Sequence, residues 1–151
     1  VSTPRRLLAV DYGDARTGLA ATDWTGTIAV PLPRIDARDQ NQVVAAIAEL
    51  VRERATELVV VGMPLQSDGS SGQRAQRTAA FCERLRRAVP CPVEVADESH
   101  STDEAHELLK AGGLKAAQRK RLADSVAALV VLERFRRSLP RPKPPPPPEP
   151  G

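Results

Sequence analysis

Four consecutive apolar residues, Leu7, Leu8, Ala9 and Val10, run straight into Asp11, and Gly13 and Gly18 then bracket a polar turn holding Asp14, Arg16 and Thr17. A short apolar run bounded by glycine fits a strand buried on both faces of a sheet. An ionised carboxylate at the end of such a strand is costly unless a cation or hydrogen-bond donors meet it. The stretch predicts a central strand that carries one carboxylate to a sheet edge, where a bound metal ion or a hydrogen-bonded turn receives it.

Two more apolar runs extend this pattern. Residues 57–62 (ELVVVG) read as a second buried strand, and residues 93–96 as a third that ends in Asp97-Glu98. Helices separate the three. Asp39 with Gln42 resembles a capping box ahead of Val43, Val44, Ile47, Leu50 and Val51, which recur at helical spacing through Ala55. Thr78, Phe81, Cys82 and Leu85 mark the inner face of a helix over 73–89. A strand reached through a helix lies parallel to its predecessor by a right-handed crossover, so these strands end at one sheet edge, where ligands collect in open sheets.

Between the first strand and the first helix, residues 18–24 and 27–35 read as two strands joined by a tight turn at Thr25-Gly26. Pro31 and Pro33 cannot donate to a ladder, which predicts an edge position for that strand. Further on, Ser101 with Glu104 forms another capping box, opening a short helix that stops at Gly112-Gly113. A last helix runs over 115–137, with Asp124 on the stripe of Ala117, Ala128, Val131 and Phe135. Its run 126–132 is apolar on every side, so that face is expected to look inward. The fold class is therefore α/β.

A chain of 151 residues with 41% hydrophobic content makes one domain, here residues 1–139. Residues 140–151 hold eight prolines among twelve and form a polyproline II or disordered tail, read as a spacer or solvated end. Four aromatics (Tyr12, Trp24, Phe81 and Phe135) are too few for base-stacking platforms, so any nucleic acid is held mainly by charge. The net charge of +3 permits a polyanionic partner without requiring one. Arg74, Arg77, Arg84, Arg86 and Arg87 face only Glu83 in their segment, and Lys115, Arg119, Lys120 and Arg121 have no acid among them; solvated helix faces alone would also explain both clusters. Cys82 and Cys91, with two histidines in the whole chain, indicate neither a zinc site nor a disulfide framework and are read as free thiols. With no leader pattern and no apolar run long enough to cross a bilayer, a cytoplasmic protein is expected.

Asp11, Glu98 and Asp124 come from three separate elements, each where an apolar element meets an end. Carboxylates gathered without His or Cys suit hard, oxygen-preferring magnesium or manganese. Two such ions about 4 Å apart activate water and stabilise the leaving oxygen in phosphodiester cleavage. Each residue also has a purely structural reading: Asp11 as a cap of the glycine turn, Glu98 as the acidic flank of the Ser101 cap, and Asp124 as a partner of Lys120 or Arg121. The convergence of the three favours metal-assisted hydrolysis.

Four blocks of sequence resemble the YqgF family, small RNase-H-like proteins described as Holliday junction resolvases and as pre-16S rRNA nucleases. They are Asp11-Tyr12-Gly13 with Arg16 and Gly18-Leu19-Ala20; residues 60–64 (VVGMP) with Asp68-Gly69 and Gly72; Asp97-Glu98 with Ser101-Thr102 and Ala105; and Asp124-Ser125 with Ala127-Ala128. The resemblance spans roughly residues 7–135 and implies an RNase-H-like fold, a five-stranded mixed sheet of three antiparallel strands followed by two parallel ones, flanked by helices. It implies Asp11, Glu98 and Asp124 as catalytic metal ligands for two magnesium or manganese ions. Arg16 is expected to reach a phosphate from the first turn, with Arg74, Arg77, Lys115, Arg119 and Lys120 as further backbone contacts. Where the family has an Arg after the third block's acid pair, this chain has Ser99 and His100; His100 reads either as a proton shuttle beside Glu98 or as an exposed loop residue.

The expected activity is a metal-dependent nuclease acting on the 5' end of pre-16S rRNA. The alternatives are a Holliday junction resolvase, which would need a homodimer to cut two strands symmetrically, and a non-catalytic RNA-binding maturation factor. ATP binding is disfavoured: the Asp-x-Gly turn also opens actin-like kinases, but those need a second domain that 151 residues cannot supply.

Overall fold

The computed structural model describes residues 4–23, 25–63, 72–97 and 116–139, side chains excepted at 97 and 116–124. The elements in chain order are β1 (Leu7–Asp11), β2 (Arg16–Thr22), β3 (Ala29–Asp36), α1 (Gln40–Arg54), β4 (Leu58–Met63), α2 (Gln73–Ala88), β5 (Val93–Asp97) and α3 (Ala116–Ser138). The five strands form one sheet in the order β3-β2-β1-β4-β5. β1 pairs antiparallel with β2 and parallel with β4; β2 pairs antiparallel with β3, and β4 parallel with β5. This is the mixed sheet expected from the sequence, with proline-bearing β3 on the edge. The capping-box helix expected over 101–112 lies outside the described residues, as does the tail.

Strand alternation divides the interior into two cores, because successive side chains point to opposite faces. Leu8, Val10, Leu19, Val59, Val61 and Val93 pack against Val43, Ile47 and Val51 of α1 and Phe81, Cys82 and Leu85 of α2. Leu7, Ala9, Ala20, Leu58 and Val60 pack against Ala128, Val131 and Leu132 of α3. β1 is buried from both sides, and this is why it reads as an unbroken apolar run rather than an alternating one. Small residues on the α3 side, Ala9, Ala20 and Ala128, are each completely buried.

The strand and helix ends follow local chemistry. β2 starts at Arg16, two residues earlier than the sequence suggests, because Gly13 lets the turn after β1 close tightly: a Cβ there would lie 2.3 Å from the Arg16 carbonyl oxygen. Arg16 is therefore a strand residue, not a turn residue. In the β2–β3 turn the Asp23 carboxylate accepts from the Thr27 and Ile28 N–H groups and from the Thr25 hydroxyl. Those bonds, the Ile28 N–H foremost, hold its carboxyl below the usual range. Asp39 caps α1 by accepting the Asn41 N–H at 2.9 Å, and α1 ends on Ala55 in the left-handed region, φ 51°. Among the described residues no helix is long and apolar enough to cross a membrane.

Candidate functional site

The ladder registers bring the ends of β1, β4 and β5 to one edge. Val10 lies beside Val61 and Val61 beside Val95, and the pairing continues to Met63 beside Asp97. Asp11 thus ends a strand that stands two strand spacings, about 10 Å, from the end of β5. Glu98 lies outside the described residues, directly after that strand. The third acid, Asp124, is carried by α3, the helix that covers β1 and β2, and its side chain is not among those described.

Asp11 continues the parity of Leu7 and Ala9 and so belongs to the sheet face that α3 covers. Its side chain is only 17% exposed, and Arg74 Nη2 of α2 stands 3.5 Å from Oδ1. That ion pair crosses the strand end from the opposite layer. It forms no hydrogen bond, and Oδ1 is one of two buried side-chain polar atoms among the described residues without a hydrogen-bond partner. The other is the hydroxyl of Thr17, adjacent in β2 to Gly18, the register partner of Asp11. Orphaned buried oxygens are uncommon, and here both fall at the same sheet edge.

Beside Asp11 a cleft of about 220 Å³ is lined by Tyr12, Gly13, Asp14, Arg74, Arg77 and Thr78. Arg77 Nη1 pairs with Asp14 at 2.7 Å, tying α2 to the turn after β1. Tyr12 forms the floor: its ring stacks on Phe81 with centroids 4.2 Å apart, and Gln40 Nε2 donates to its hydroxyl at 3.3 Å. With Tyr12 9% exposed, the stack belongs to the core rather than to a base-binding platform, in line with the scarcity of aromatics. Arg74 and Arg77 sit three residues apart on the first turns of α2, on one helix face.

The structure brings Asp11, Arg74 and Arg77 together. It places Arg16, exposed, at the start of β2 opposite Asp36, and Arg119 and Lys120 on the first turns of α3; Lys115 and His100 lie outside the described residues. Among the described residues no group of three His, Cys, Asp or Glu that could hold a metal forms; Glu98 and the Asp124 side chain lie outside them. The sequence alone did not reveal the Asp11–Arg74 and Asp14–Arg77 pairs. Nor did it reveal the Ser125 hydroxyl, which donates to the Leu32 carbonyl at 2.6 Å.

An open mixed sheet in this order, with an acid at the end of its first strand and helices on both faces, defines an RNase-H-like fold. The structure "Thermus thermophilus RuvC structure" superposes with a TM-score of 0.61 at 18% identity, covering 87% of this chain and 95% of that one. The fowlpox virus Holliday junction resolvase superposes at 0.57 and 10% identity, covering 89% and 99%. Residues 5–138 match the family described as "RuvX: Holliday junction resolvase", and the chain belongs to that family, the YqgF family that the sequence resembles. A protein of Chloroflexus aurantiacus named "Putative pre-16S rRNA nuclease" is 39% identical over 89% of this chain and 90% of its own. One of the same name from Kineococcus radiotolerans is 43% identical over 83% of this chain and 68% of its own.

Proposed function

We propose that this chain is a metal-dependent nuclease that hydrolyses phosphodiester bonds at the 5' end of pre-16S rRNA in the cytoplasm. Asp11, Glu98 and Asp124 are its catalytic and metal-holding residues, and Arg16, Arg74, Arg77, Lys115, Arg119 and Lys120 contact the nucleic-acid backbone. Residues 1–139 form the nuclease domain, and residues 140–151 are a tail outside it. The observation that carries the reading is the buried Asp11 Oδ1 with no hydrogen-bond partner, in a chain whose relatives carry the name of a pre-16S rRNA nuclease.

The residues fit a hard divalent ion. An orphaned carboxylate oxygen at a sheet edge, faced by a guanidinium at 3.5 Å without a hydrogen bond, has both a coordination position open and a demand for positive charge. Oxygen donors without thiolate or imidazole select magnesium or manganese. When bound, one or two such ions supply an activated water and stabilise the leaving oxygen. The chain's own residues do the rest. β1 holds Asp11 at the edge, and Arg74 offsets its charge from 3.5 Å. The Arg74 guanidinium is also suited to pair with a backbone phosphate in bidentate fashion. Arg77, anchored to Asp14, lines the cleft through which the strand passes.

A second reading keeps the chemistry and changes the substrate to a four-way DNA junction. It is favoured by the family's description and by the fold shared with the structure titled "T. thermophilus RuvC in complex with Holliday junction substrate". A junction offers two symmetric scissile phosphates, so that reading requires a homodimer. The test is side-by-side cleavage of a labelled pre-16S rRNA 5' fragment and a four-way DNA junction with magnesium, manganese or chelator. Metal-dependent cutting of the RNA alone is expected. Cutting of the junction alone transfers the conclusion to the resolvase, and tight binding with cutting of neither leaves a non-catalytic RNA-binding factor.

A further inference from the structure

We propose that Ser125 is a positioning residue for the acidic site, setting the spacing between Asp124 and Asp11 and thereby the affinity for the divalent ion; the inference rests on the proposed roles of those two residues. The observations are local. Ser125 is 1% exposed, and its hydroxyl donates to the Leu32 carbonyl of β3 at 2.6 Å while accepting the Leu19 N–H of β2 at 3.5 Å. Leu19 and Leu32 are register partners, and the β2–β3 ladder shifts register between Thr17 and Leu19. A bulge of this kind disrupts the local hydrogen-bond ladder. The serine hydroxyl relays the rung at that point, and α3 is thereby locked to two strands by a side chain of its own.

The position of this lock in the sequence gives it a role beyond packing. Leu19 follows Gly18, the register partner of Asp11, and Ser125 follows Asp124. A short path therefore joins the backbones that carry the two acids: Asp11 to Gly18 across the ladder, Gly18 to Leu19 along β2, Leu19 to Ser125 through the hydroxyl, and Ser125 to Asp124 along α3. At the far end of α3, about three turns from Asp124, Arg136 donates to the Gly26 and Thr27 carbonyls of the β2–β3 turn; between the two ends the helix is held by Ala128, Val131 and Leu132, apolar contacts that are not directional. Hydrogen bonds through one hydroxyl are directional and fix the register of the turn that bears Asp124. Groups that orient metal ligands from behind commonly cost about 10–100-fold in metal affinity when removed.

The experiment measures manganese affinity of the full chain without nucleic acid, by calorimetric titration and by the electron paramagnetic resonance of bound Mn2+, alongside Tm. The variants are Ser125→Ala, Ser125→Cys, Asp124→Asn and Val51→Ala; Val51 of α1 is buried in the core on the opposite face of the sheet and controls for lost stability. Ser125→Ala is expected to weaken Mn2+ binding about 10-fold or more and to broaden its resonance, with Ser125→Cys intermediate. Val51→Ala is expected to lower Tm and leave Mn2+ affinity within about twofold of wild type, since it is remote from the site. Wild-type affinity in Ser125→Ala, or in Ser125→Cys should the alanine variant not fold, overturns the positioning role while Asp124→Asn still loses the ion. Equal weakening by Val51→Ala overturns it as well, by making the effect one of general stability. Wild-type affinity in Asp124→Asn overturns the acidic site itself and this inference with it.

Discussion

At Gly13 the chain has no room for a side chain, because the Arg16 carbonyl oxygen stands 2.3 Å from where a Cβ would be. Gly13→Ala must open the turn that carries Asp14 and leads into Arg16 of β2, at a cost of about 1–3 kcal/mol. Chemical denaturation is expected to show that loss in midpoint, with cleavage falling further than stability because the turn borders the cleft. Arg74→Ala leaves the Asp11 oxygen without its nearby cation and removes one phosphate contact. Titrations of nucleic acid at several salt concentrations are expected to show weaker binding and a salt slope smaller by about 1. Burial pushes the thiols of Cys82 and Cys91 up from their ordinary value of 9.0. A raised folded pKa means that the folded state keeps its protons longer, so this contribution is intact below about pH 9 and is lost as pH rises beyond it. A Cys82→Ala, Cys91→Ala double variant is expected to flatten the fall in denaturation midpoint above pH 9. At this scale the place of Asp11 at the end of a buried strand was legible, since it closes an unbroken apolar run. Arg74 was not legible as its partner, because pairing across two layers leaves no periodic trace in sequence.

α1 is well marked in sequence: Asp39 at its cap and Val43, Ile47 and Val51 at helical spacing match a helix over Gln40–Arg54. Its end is not well marked, since Ala55 takes φ 51° where glycine is the usual occupant. An alanine there pays about 1–2 kcal/mol for the left-handed conformation. Ala55→Gly is therefore expected to raise Tm by about 2–4 °C, read by calorimetry, and to leave cleavage unchanged. The strands show the same division. β1 and β4 were readable as apolar runs, and β3 was readable as an edge because Pro31 cannot serve a central ladder. The start of β2 was misread because its first residues, Arg16 and Thr17, look like a turn until Gly13 is seen to close it. The Ser125 hydroxyl could not be read at all, since its partners Leu19 and Leu32 are backbone groups exposed only by a bulge in the ladder.

The described residues form a sheet covered on both faces, with α1 and α2 on one side and α3 on the other, and the proposed chemistry is assigned to the edge where the parallel strands end between the layers. Two connected facts set that location. Buried parallel strands force their polar residues to the ends, and the crossover helices bring the arginines of α2 back to the same ends. The net charge of +3 is too small to grip RNA unaided, so affinity is expected to depend on arginines gathered at this edge rather than on the surface at large. The most direct test of the central claim is the magnesium-dependent cleavage of a pre-16S rRNA 5' fragment by Asp11→Asn beside wild type, with binding of the same RNA and the circular dichroism spectrum measured on both. The variant is expected to keep its fold and its RNA affinity within a few-fold and to lose cleavage by at least about a hundredfold, the scale of losing a group that stabilises developing charge. Cleavage at the wild-type rate by the folded variant would contradict the central claim.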